Sequence, residues 1–141
     1  MQFCGIKLNI MKQLLQTEEL FQFLASIVAL YFLPVHLYWW IWVILFLLPD
    51  ISMLGYLVNT SVGAFSYNLF HHKGVALLII ALGFYNGSTS LEVTGIILFG
   101  HASMDRIMGF GLKYSDSFIH THLDPIPAAE PDNYKNKTLH A

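Results

Sequence analysis

The sequence predicts an all-α protein, a four-helix up-down transmembrane bundle with a short polar C-terminal tail. Three observations predict it. Only 11% of the 141 residues are charged, against about 25% in a typical soluble domain. The charges are spaced so that residues 20–49, 51–72, 74–91 and 93–104 contain none. Hydrophobic residues make up 55% and aromatics 15%, which excludes a disordered chain and argues against a water-soluble globule.

A hydrocarbon core about 30 Å thick needs roughly 20 residues of helix. The first span is expected over about 14–33, stopped by Pro34, with Glu18 and Glu19 in its opening turns. The second covers about 37–58 and opens with Tyr38, Trp39, Trp40 and Trp42, the ring types that a membrane interface selects. Pro49 should kink or break this segment just before Asp50, because it lacks an N–H and its ring clashes with the preceding turn. Asn59-Thr60-Ser61 is a polar turn. The third span follows over about 62–85, closed by Asn86-Gly87-Ser88, and the fourth over about 91–110, with Gly109 and Gly111 as terminators. Short connections make the bundle antiparallel.

Lys7 and Lys12 precede the first span, and Arg106, Lys113, Lys135 and Lys137 lie at or beyond the end of the fourth. The three connecting loops carry no Lys or Arg, so the positive-inside rule puts both termini in the cytoplasm. An even number of spans requires the same. The chain divides into a cytoplasmic segment 1–13, the helical domain 14–112 and a polar tail 113–141 containing Pro125, Pro127 and Pro131. The start does not read as a cleaved signal peptide, and Met11-Lys12 is an alternative start. A net charge of −2 with no basic patch speaks against nucleic acid, and the single Cys4 excludes an internal disulfide or a cysteine zinc cluster.

Ionisable residues inside a span are costly and face a partner or a cavity. Here they are Asp50, then His71, His72 and Lys73, then His101, Asp105 and Arg106, joined by the uncharged Asn68. His101 and Asp105 are four apart and share a helix face. At 1.5 Å per residue, Asp50 lies about 12 Å from the cytoplasmic end of its span, His71 and His101 about 14 Å, and Asn68 and Asp105 about 8–9 Å. Glu18 and Glu19 lie at roughly 6–8 Å. Every span thus delivers a polar group to the cytoplasmic half, which points to one shared site.

Imidazole and carboxylate suit one divalent ion such as zinc, manganese or iron, and an open coordination position would activate water for hydrolysis. Asp50, His71, His101 and Asp105 are the expected ligands; Asn68 would orient a ligand or water, and Arg106 would hold an anionic headgroup. Simpler readings stand beside this one. Asp105 and Arg106 can form an ion pair, and His101 can merely bond across the bundle. Only one of His71 and His72 can face the same centre, and Lys73 can reach toward a carboxylate. His120-x-His122 reads as a solvated pair.

The stretches Leu48-Pro49-Asp50-Ile51-Ser52-Met53-Leu54-Gly55-Tyr56, Val62-Gly63-Ala64, Tyr67-Asn68-x-x-His71 and His101-x-x-x-Asp105-Arg106 resemble the membrane family catalogued as domain of unknown function 4260. The resemblance continues through Gly109-Phe110-Gly111-Leu112-Lys113-Tyr114 to Phe118 and Thr121-His122-Leu123. It implies no established activity. It does imply that Asn68, His71, His101, Asp105, Arg106 and His122 occupy motif positions, favouring His71 over His72, with Glu18 a looser match. His72-Lys73-Gly74 departs from the family pattern. More distantly, the order of an Asp near a helix break, a His and a later His-x-x-x-Asp is similar to that of membrane-bound metal-dependent hydrolases.

The first expectation is therefore a membrane-embedded, metal-dependent hydrolase acting on a lipid or lipid-linked substrate. A proton-coupled transport or channel subunit would use the same residues as a relay, and would need homo-oligomerisation with so few spans. Haem held by histidines of the third and fourth spans, or a polar cluster that only fixes helix packing, are the other readings.

Overall fold

The computed structural model describes residues 2–119 and 121–123, with side chains from residue 10 onward. His120, the tail prolines Pro125, Pro127 and Pro131, and Lys135 and Lys137 lie outside the described residues, as does the side chain of Lys7. The described chain is all α apart from one isolated antiparallel bridge between Lys113 and Thr121. Helix α1 spans Gln2–Phe32 and stops two residues before Pro34; α2 spans Trp39–Leu47. A 3₁₀ segment, Leu48–Leu57, continues directly from α2 with Pro49 in its first turn. This is the break expected at Pro49. Its ten-residue length is unusual, since 3₁₀ runs rarely exceed three or four residues.

The third expected span is two helices, not one. Helix α3 covers Thr60–His71, α4 covers Lys73–Asn86, and they meet at a 48° bend. His72 makes the break: its backbone is extended, and its imidazole accepts the Gly74 N–H at 3.1 Å as the N-cap of α4. A count of apolar residues passes straight over such a break, because the surrounding run contains no proline. Asn59 caps α3 by accepting the Val62 N–H at 2.8 Å. Helix α5 spans Thr89–Met108 and ends on Gly109 in the left-handed region, as expected of that glycine.

Helix α5 is the hub. It runs along α4 and α1, while α3 packs mainly on the 3₁₀ segment. The α4–α5 crossing is close because Gly95 has no side chain; a Cβ there would meet the Ala76 carbonyl oxygen at 2.8 Å. Buried hydrophobics are few and mostly modest in size, among them Ala64, Ala76, Ile97 and Ala102. The large ones lie outside: Phe21, Phe32, Trp39, Leu57, Phe65 and Phe84 are each at least 67% exposed. An apolar exterior of this extent calls for a non-aqueous surrounding or partner chains.

Among the described residues, the continuous Trp39–Leu57 helix is long and apolar enough to cross a membrane, and the bent α3–α4 pair qualifies only if counted as one span. Helices α1 and α5 carry Glu18 and Glu19, and Glu92, Asp105 and Arg106, and neither is among the qualifying segments.

Candidate metal centre

Three helical elements bring Asp50, His71, His101 and Asp105 together. Asp50 follows Pro49 in the first turn of the 3₁₀ segment, and His71 is the last residue of α3. His101 and Asp105 sit one turn apart on the buried stretch of α5. One potential ligand atom from each lies within 4.8 Å of all the others. The His101 side chain is fully buried, His71 is 3% exposed and Asp105 10%, whereas Asp50 is 42% exposed. The cluster therefore has one open side, at Asp50.

Both imidazoles are held by main-chain carbonyls. His71 Nδ1 lies 2.9 Å from the Tyr67 oxygen, and His101 Nδ1 lies 2.7 Å from the Phe46 oxygen. A carbonyl can only accept, so each Nδ1 carries a proton and donates it; on the neutral ring Nε2 then keeps a lone pair. Those lone pairs point at the carboxylates. His101 Nε2 is 3.2 Å from Asp50 Oδ1 and 3.8 Å from Asp105 Oδ1; His71 Nε2 is 3.6 Å from Asp50 Oδ1 and 3.4 Å from Asp105 Oδ2. A lone pair facing a carboxylate is repulsive unless a cation or a proton lies between them. His71 Nε2 is buried and has no hydrogen-bond partner among the described residues. The donor set, two imidazole nitrogens and two carboxylates, suits zinc, manganese or iron.

Tyr67 is a participant that the sequence reading missed. Its hydroxyl donates to Asp105 Oδ2 at 2.6 Å, its carbonyl holds His71, and its ring stacks on the His71 imidazole at 3.8 Å. The available signal was its position four residues before His71, which places both on one helix face. The Phe46 carbonyl is the other missing participant, and a main-chain oxygen leaves no signature in residue type.

The remaining expected residues are engaged around this cluster. Asn68 donates to the Lys113 carbonyl at 2.8 Å and accepts the Lys113 N–H at 2.7 Å, so its amide holds the segment after α5. That segment folds back: the His122 N–H donates to the Leu112 carbonyl, and His122 Nδ1 accepts the Leu112 N–H at 2.8 Å. Lys113 is buried, with its ammonium 4.9 Å from the Tyr67 ring centre and 3.9 Å from that of Phe118. Arg106 reaches Glu19 at 3.5 Å, and Lys73 bonds both Glu19 and Gln22, tying α1 to α4 and α5. His72 is the helix cap described above, so of the two adjacent histidines His71 faces the cluster.

A family model described as Domain of unknown function (DUF4260) matches residues 12–126, a stretch that contains all four clustered residues. No curated protein and no solved structure matches the chain.

Proposed function

The chain belongs to the DUF4260 family, and from that premise we propose that it is a multi-pass membrane protein with a metal centre for hydrolysis of a lipid or lipid-linked substrate. Asp50, His71, His101 and Asp105 would hold one zinc, manganese or iron ion. The observation that carries the reading is the paired orientation of the imidazoles: both Nδ1 atoms are held by main-chain carbonyls, and both Nε2 atoms face two carboxylates. Outer partners of this kind fix the tautomer of metal-bound histidines. The buried His71 Nε2, without a hydrogen-bond partner among the described residues, fits the same reading. A bound ion would supply Lewis acidity toward an ester or phosphoryl oxygen and lower the pKa of water.

The chain's own residues would do the rest. The 42% exposure of Asp50 supports access for substrate from that side, while the burial of the other three excludes bulk water. Arg106, directly after Asp105, is the group we assign to an anionic headgroup, with Glu19 as its counter-ion in the free protein. Asn68 we assign to holding the folded-back segment over the site. The exposed Phe21, Phe32, Trp39, Phe65 and Phe84 support a bundle of four crossings, with α3 and α4 forming one broken span. Both termini would then be cytoplasmic.

Metal analysis of untagged protein purified from membranes tests it. About one equivalent per chain is expected, lost in the Asp50→Ala/His101→Ala double variant. Wild-type protein with far less metal, unchanged by that substitution, overturns the proposal. In that case the 3.2 Å approach of His101 Nε2 to Asp50 Oδ1 favours a proton relay, measured as pH-driven flux in liposomes.

A further inference from the structure

The hold on His101 depends on what happens to the main chain at the end of α2. In an α-helix, the Phe46 carbonyl would accept from the N–H of residue 50. The chain has already tightened by then: the Leu48 N–H bonds to the Leu45 carbonyl, three residues back. In that 3₁₀ register the Phe46 carbonyl belongs to the N–H of residue 49. Residue 49 is proline and has none. His101 Nδ1 lies in the donor's place, 2.7 Å from the Phe46 oxygen. The Phe46 ring packs on the His101 imidazole as well, with centroids 5.3 Å apart.

We infer that Pro49 is a positioning residue for this centre. By withholding an N–H, it reserves the Phe46 carbonyl for His101, fixes the proton on Nδ1, and turns the Nε2 lone pair toward Asp50 and Asp105. The same proline opens the 3₁₀ segment whose first turn carries Asp50, so one ring sets two of the four clustered side chains. The inference deepens the metal reading above and rests on it for its consequence, but not for the tautomer itself.

Nitrogen-15 NMR of histidine-labelled full-length protein in micelles, stripped of metal by chelation, reads that tautomer. Wild type is expected to show His101 protonated on Nδ1. Pro49→Ala returns an N–H to compete for the Phe46 carbonyl, so the Nε2-protonated form should become populated. Zinc affinity, measured by chelator competition, should fall by about tenfold or more. Pro34→Ala, in the exposed α1–α2 connection, should change neither quantity. A wild-type His101 that carries no proton on Nδ1 overturns the inference without any substitution, so a Pro49→Ala chain that fails to fold does not shield it. A folded Pro49→Ala protein that keeps the wild-type tautomer or the wild-type zinc affinity overturns it too. A tautomer shift in a protein that binds no zinc at all removes the metal reading and leaves the positioning role standing.

Discussion

Tyr67→Phe isolates one interaction of the cluster. The side chain is almost fully buried, and its hydroxyl donates to Asp105 Oδ2 at 2.6 Å, a length typical of a bond to an ionised acceptor. Phenylalanine keeps the ring that stacks on His71 at 3.8 Å and leaves the main-chain carbonyl that holds His71 Nδ1. Only the donor to Asp105 is lost. A hydrogen bond to a charged group contributes about 1.5–3 kcal/mol. Loss of an outer partner of a metal ligand weakens binding about 10–100-fold, which is about 1.4–2.8 kcal/mol. Two independent scales thus give the same magnitude. Competition against a fluorescent zinc chelator in detergent should show that weakening, with Tm lowered in parallel. Tyr56→Phe is the matched control, because the Tyr56 hydroxyl is buried with no partner among the described residues and its removal should cost nothing. Zinc affinity of Tyr67→Phe within about twofold of wild type, well inside the range expected for such a partner, would refute the assignment of Tyr67.

Two further outcomes follow from the same geometry. His71→Ala should abolish zinc binding, whereas His72→Ala should leave it intact and cost only about 1 kcal/mol of stability through loss of the α4 cap, read by thermal unfolding; equal metal loss in both would place the ligand elsewhere. Glu19→Gln should destabilise by about 3–5 kcal/mol, because Lys73 at 13% exposure loses its paired charge, and Glu19→Leu/Lys73→Met should recover much of that loss. Additive effects of the two substitutions would show that this pair is not coupled.

The four clustered residues were legible because charge is scarce where it is expensive. Depth along each helix, counted from the predicted ends, brought Asp50, His71 and His101 to within one turn of a common level, and the structure has all four ligand atoms within 4.8 Å. Pro49 was legible as a break, since its missing N–H is a property of the residue itself. The His72 break was not. There the chain departs from helix because an imidazole competes for the Gly74 N–H, a local bond that hydropathy does not register. The role of Asn68 was equally hidden. Its depth and its face pointed inward, but its amide is satisfied by the main chain of Lys113, 45 residues away. Amphipathic spacing gives the direction of a side chain and not the identity of its partner.

The two breaks in the backbone and the polar cluster explain each other. Non-helical backbone away from water is tolerated only where its freed carbonyls find donors. Among the described residues, helix breaks at Leu48–Pro49 and at His72 each adjoin a clustered side chain, Asp50 in one case and His71 in the other. The carbonyl next to the first break is satisfied by His101, a member of the cluster. The second break instead ends α3 at His71, whose imidazole turns back to the Tyr67 carbonyl in the last turn of the same helix. Helix α5, which is unbroken from Thr89 to Met108, supplies the other two clustered side chains at a fixed one-turn spacing. One rigid helix and two broken ones therefore divide the work: α5 sets the spacing, and each break frees a short segment to bring one more group to it. If the breaks served packing alone, replacing all four clustered residues with apolar ones should leave the bend at His72 and the 3₁₀ run unaltered. If they serve the cluster, the Phe46 carbonyl would be left without its donor, and the α2 end should lose hydrogen-exchange protection first.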